Sequence, residues 1–68
     1  MRWENRVGSR IRQIRKNSGQ TQEALAFEAG IAMRYLAGIE RGEENPSLLV
    51  LVKIASALQV QPGSLFEG

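Results

Sequence analysis

Apolar residues recur along this chain at helical spacing, and nowhere do they alternate as a strand would. Val7, Ile11 and Ile14 stand at i, i+4 and i+7 with the intervening arginines turned elsewhere, which predicts an amphipathic helix from about Asn5 to Asn17. Gly19 ends it in the left-handed position that glycine adopts at low cost. Thr21 caps a second helix running to about Ala29: its hydroxyl can accept from an unpaired backbone N–H, and Glu23 sits at the positive end of the dipole. Leu25, Ala26 and Ala29 form the interior of that helix, and the small alanines allow another helix to approach closely. Gly30 supplies a turn with positive φ, after which Ile31, Leu36 and Ile39 mark a third helix ending at Gly42. Glu43 to Pro46 reads as a polar loop. Pro46 biases Asn45 away from helical angles, so a fourth helix starts afresh with Ser47 as its cap and Leu48, Leu51, Ile54, Ala55 and Leu58 as its core stripe. Val60, Pro62, Leu65 and Phe66 predict a short last helix, with Leu65 in the core. The expectation is an all-α chain of five helices, residues 1–68 forming one domain.

Composition narrows what such a domain can do. At 68 residues the chain is near the lower limit at which one core sustains a fold, and it holds neither cysteine nor histidine. Disulfides, cysteine-histidine zinc sites, thiolate nucleophiles and imidazole acid-base chemistry are excluded by inventory. The remaining way to enlarge the core is to bury surface between two copies, so a homodimer is expected. The N-terminal stretch from Met1 to Arg6 is polar and the longest apolar run, Leu48 to Val52, is too short to span a bilayer, which makes the cytoplasm the expected location. The net charge of +2 is unevenly placed, +5 over residues 1–20 and −3 over the rest. A basic segment ahead of an acidic body fits a nucleic-acid binder, and it equally fits a solvated helix face formed by Arg2, Arg6, Arg10, Arg12, Arg15 and Lys16.

The informative arrangement is helix, glycine turn, helix over residues 21–41. A turn this short fixes two axes steeply, so the second helix can project far enough to enter a major groove. Together with Arg10-Ile11-Arg12…Arg15, Gly19-Gln20-Thr21-Gln22-Glu23-Ala24-Leu25-Ala26, Ala29-Gly30-Ile31, Tyr35-Leu36…Ile39-Glu40-Arg41-Gly42 and Asn45-Pro46-Ser47-Leu48…Leu51…Ile54-Ala55…Ala57-Leu58, it resembles the Xre/Cro/phage-repressor family of helix-turn-helix proteins. Within that family the Tyr35 to Arg41 segment and the Leu65-Phe66 ending look most like the controller proteins of restriction-modification systems. The resemblance implies a compact five-helix, lambda-repressor-like fold and a transcriptional regulator that binds an inverted-repeat operator in double-stranded DNA as a homodimer. It implies no cofactor, metal, membrane or small-molecule substrate, and no enzymatic activity.

The resemblance also implies roles. Met33, Arg34 and Ala37 match positions that read base edges. Arg34 can donate two bonds to a guanine, and Met33 or Ala37 can pack on a thymine methyl. The rival readings are a core-filling Met33 and a phosphate-bound Arg34. Gln22 matches a glutamine that bonds a phosphate and braces the third helix, against the plainer reading of a solvated side chain beside a cap. Tyr35 bonds a phosphate through its hydroxyl, packs its ring against the first helix, or does both. Asn45, Ser47 and the N–H groups opening the fourth helix match a second phosphate clamp, assisted by Arg41. Arg15 and Glu40 match an internal ion pair. Two departures stand out: Ala32 occupies the usual polar cap before Met33, and Met33 and Ala37 are less polar than is usual, which shifts weight to shape readout. Leu49, off the core stripe, joins Val60, Pro62 and Phe66 as the expected dimer face, with Phe66 as its anchor. The reading from another class is an antitoxin-like module that uses the same scaffold to hold a protein.

Overall fold

A computed structural model describes residues 2–67. Met1 of the polar N-terminal stretch and Gly68 at the end of the expected domain lie outside the described residues. The elements run α1 (Trp3–Asn17), α2 (Gln22–Ala29), α3 (Met33–Glu40), α4 (Leu48–Leu58) and a closing 3-10 helix (Pro62–Phe66). The expected five α-helices are therefore four and a 3-10 turn. Pro62 has no N–H to give and Gly63 has the weakest helical preference after proline, so this segment lacks the ladder for a full α-helix.

One core joins all five pieces. Val7 and Ile11 of α1, Leu25 of α2, Leu36 and Ile39 of α3, Ile54 of α4 and Leu65 of the 3-10 helix are almost fully buried. Each such side chain is worth about 1.5–3 kcal/mol of transfer free energy. Ile14 and Ile31 are half-buried at its margin. The C-terminal segment is also tied to α1, because Arg10 donates from Nε to the Ser64 carbonyl at 3.0 Å and from Nη2 to Glu67 at 3.5 Å.

Two expectations about α1 and α4 need correction. The first helix begins at Trp3, two residues before the expected Asn5, with Arg2 at the cap making no side-chain bond to it. Glu4 is consequently inside the first turn, buried and paired with Arg2 at 3.2 Å. Leu48, expected in the core stripe, is 69 % exposed. It lies one turn before the buried Leu51 on the same stripe, so the first turn of α4 stands clear of the packed body.

Candidate nucleic-acid interface

The tight link between α2 and α3 is made by backbone geometry. Thr21 caps α2 by accepting from the Ala24 N–H at 3.0 Å. At its far end Gly30 takes φ 72° and ψ 32°, and the Ile31 N–H closes back on the Ala26 carbonyl at 3.0 Å. An L-residue is strained in that conformation, so glycine is what allows the chain to turn within three residues before α3 begins. Ala32 precedes α3 in extended conformation with no side-chain cap bond.

α3 has two distinct faces. Leu36, Gly38, Ile39 and Glu40 are buried. Met33, at 51 % exposure, and Arg34 are on the surface, with Ala37 half-buried beside them. Met33 is therefore not core filler. No ion pair among the described residues engages Arg34. Tyr35 is half-buried and packs against the core.

The buried face is held by a charged lock. Arg15 donates to Glu40 through Nε at 2.8 Å and Nη2 at 3.1 Å, while its Nη1 donates to the Gln20 carbonyl at 2.9 Å. Gln22 completes the set by donating from Nε2 to Glu40 at 3.0 Å. Both charged side chains are at most a tenth exposed. Three donors on one buried carboxylate satisfy it well enough to offset much of its desolvation, and they tie α1, the start of α2 and the end of α3 together. Gln22 thus spends one donor on the brace.

Beside this lock opens a cleft of about 270 Å³ lined by Arg12, Arg15, Gln22, Glu40 and Arg41. Arg12 is a member that the sequence reading passed over, because on a helical wheel it is one exposed arginine among several. The cationic surface is smaller than the charge tally implies. Arg2, Arg10 and Arg15 are committed to partners inside the molecule, which leaves Arg6, Arg12 and Lys16 of α1 without an ion-pair partner among the described residues.

Past α3, Arg41 pairs with Glu43 at 3.0 Å on the surface. Their hydrogen bond raises the Arg41 guanidinium above its ordinary range and holds the Glu43 carboxyl below its own, with their charges acting in the same sense. Asn45 is exposed, and the Ser47 hydroxyl caps α4 by accepting from the Val50 N–H at 3.2 Å. That hydroxyl keeps its proton available to donate outward.

The expected dimer residues are less uniform. Leu49 and Phe66 are exposed, while Val60 and Pro62 are half-buried, Val60 against the core. Phe66 shares a small pocket with Trp3, Arg6 and Val7, so Trp3 belongs with it. No periodicity identifies Trp3, which lies ahead of the expected start of α1.

The sequence model of the helix-turn-helix family matches residues 11–65. The chain belongs to the helix-turn-helix family. This helix-turn-helix chain is 46 % identical over 61 residues to control protein C.BamHI of Bacillus amyloliquefaciens, across 88 % of its own length and 75 % of that protein. The crystal structure of the restriction-modification controller protein C.AhdI from Aeromonas hydrophila superposes with a TM-score of 0.91 at 41 % identity, covering 93 % of this chain and 96 % of that one. The biofilm master regulator SinR, solved in complex with DNA, superposes at 0.84 with 40 % identity over 90 % of this chain and 98 % of that one. No helix among the described residues is long and apolar enough to cross a membrane.

Proposed function

We propose that residues 1–68 form one DNA-binding domain that acts as a sequence-specific transcriptional regulator, with residues 21–41 as its helix-turn-helix unit. Double-stranded DNA is the partner, an inverted repeat is the operator, and two copies bind it in the cytoplasm. The similarity to C.BamHI and C.AhdI favours restriction-modification genes as the regulated set. Regulation works by occupancy of the operator and requires no catalysis or cofactor.

The observation that carries this reading is the contrast between the two faces of α3: one locked by a buried ion pair, the other presenting Arg34 without an ionic partner among the described residues. A rigid helix with a cation on its outer face is what base readout in a major groove requires. Met33 and Ala37 supply apolar contact beside it, while Gln22, Tyr35, Arg41, Asn45 and Ser47 face phosphates. Neutralising phosphates releases counterions, so affinity should fall steeply as salt rises. In-vitro selection from random duplexes should return an inverted repeat. On that operator Arg34→Ala is expected to cost about tenfold or more in affinity and to relax preference at one base pair per half-site. Binding that is indifferent to salt, or unchanged by Arg34→Ala, would sink the assignment.

The described residues hold one helix-turn-helix unit and so one reading helix, α3, against successive major-groove faces roughly 34 Å apart. One copy therefore reads one half-site, and symmetric reading takes two. Leu49, Val60, Pro62 and Phe66 form the pairing face, with Phe66 as anchor. Phe66→Asp is expected to weaken the dimer, seen as a shift to monomer in sedimentation velocity with the helical circular-dichroism spectrum retained. A shift absent at every concentration would remove Phe66 from the interface.

Phe27 favours a second reading, a module that holds another protein, because its ring is 85 % exposed on α2. A stoichiometric protein partner, with any DNA affinity unmoved by Arg34→Ala, would select that reading.

A further inference from the structure

The loop after α3 places a carboxylate where the proposed interface needs a cation. Gly42 takes φ 78°, and the Gly42 and Glu43 N–H groups bond back to the Ile39 and Gly38 carbonyls at 3.0 and 2.9 Å. A Cβ on Gly42 would collide with the Asn5 side chain, and one on Gly38 would meet the Cγ of Glu44 at 2.8 Å. Gly42 is thus seated against α1 and Glu44 against α3, which fixes the backbone at Glu43 between them, while its exposed carboxylate is held by Arg41. It accepts from Arg41 Nη2 at 3.0 Å, and Arg41 lines the polar cleft with Arg12 and Gln22. The raised pKa of Arg41, to which Glu44 adds its charge after Glu43, agrees with a cation held in an acidic setting.

We infer that Glu43 is an intramolecular stand-in for a DNA phosphate: it latches Arg41 in the free protein and lowers affinity for duplexes that offer only a phosphate backbone. This rests on the DNA-binding reading above. In the complex a phosphate oxygen takes the place of the Glu43 carboxylate on the guanidinium, one anion exchanging for another. An exposed ion pair is weak, so the exchange is easy. Binding that depends on phosphates alone is the mode most sensitive to losing one cation. Glu43 thereby acts against indiscriminate binding, while an operator that also engages Arg34 has further contacts to draw on.

The test titrates labelled random-sequence duplex DNA, read by fluorescence anisotropy across a salt series, with each variant checked for fold by circular dichroism. Glu43→Gln is expected to tighten binding about two- to fivefold at low salt, with the log-log salt slope little changed because Arg41 meets the same phosphate in both proteins. Glu28→Gln makes the same change of net charge at an exposed α2 site, and its gain should be clearly smaller. In an Arg41→Ala background, Glu43→Gln should gain no more than Glu28→Gln does. Equal gains from the two glutamates, a gain that persists in full without Arg41, or no gain at all each overturn the latch. A parent protein that fails to bind duplex DNA overturns the DNA-binding reading together with the latch. A parent that binds while Glu43→Gln changes nothing overturns the latch alone.

Discussion

Glu40→Ala is expected to leave the protein largely unfolded at 25 °C. Removing one member of a buried, hydrogen-bonded ion pair costs about 3–5 kcal/mol, because the survivor stays desolvated without a counter-charge. Here the survivor is Arg15, at most a tenth exposed, which would keep only its bond to the Gln20 carbonyl. A chain of this size rarely has more than about 3–5 kcal/mol in total. Glu40→Gln, which preserves the shape and one acceptor, should lose less and remain folded, with thermal melting followed by circular dichroism ranking the two. Replacing both partners with apolar residues, Arg15→Met with Glu40→Leu, should recover most of the stability. Recovery of fold without recovery of operator affinity would mark the pair as the device that orients α3. If Glu40→Ala melts within a few degrees of the parent, the lock described here is not what holds α3.

Gly8→Ala carries the second large effect, and its sign opposes the helix scale. In an exposed helix interior this change stabilises by about 1 kcal/mol. Gly8 is buried where α1 crosses the end of α3. A methyl there would collide with the Ile39 carbonyl oxygen and lie 3.0 Å from that of Glu40. Both obstacles are backbone, so no rotamer change relieves them and α3 must move. Overpacking costs about 1–3 kcal/mol, and a backbone obstacle places this case at the upper end, enough to reverse the propensity gain. Chemical denaturation should show a lowered midpoint at unchanged slope, and operator affinity should fall beyond what the loss of folded protein explains. A raised midpoint would mean that α1 and α3 are not in close contact at Gly8.

Periodicity made most of the core legible, because Val7, Ile11, Leu25, Leu36, Ile39, Leu51, Ile54 and Leu58 each lie on a helical stripe whose inward direction needs no tertiary knowledge. Gly19, Gly30 and Gly42 were readable as turns, since positive φ is what their positions require. The misses share a physical cause. Nothing in the spacing marks Glu4 as buried or Gly8 as a contact, because each depends on how α1 meets the rest of the fold, Gly8 on the backbone at the end of α3. Leu48 fails for the complementary reason: the stripe is correct, but the rest of the molecule does not reach that far. The two outer candidates on α3, Met33 and Arg34, were legible as positions, since a helix whose apolar stripe faces inward must show its other side to solvent. The pairing of Arg41 with Glu43 was not, because residues two apart on a loop meet only when the backbone folds them together.

The missing cap at Ala32 reaches beyond this one molecule. Its methyl leaves the opening N–H groups of α3 without a side-chain acceptor, so in the proposed complex the first turn of the helix set in the groove is its least firmly held part. A turn of that kind can resettle when a base pair beneath it changes. Arg34 stands in that same first turn, so in the proposed complex its choice of base is settled together with the winding of the helix, and the duplex supplies part of the order that a polar cap would have given.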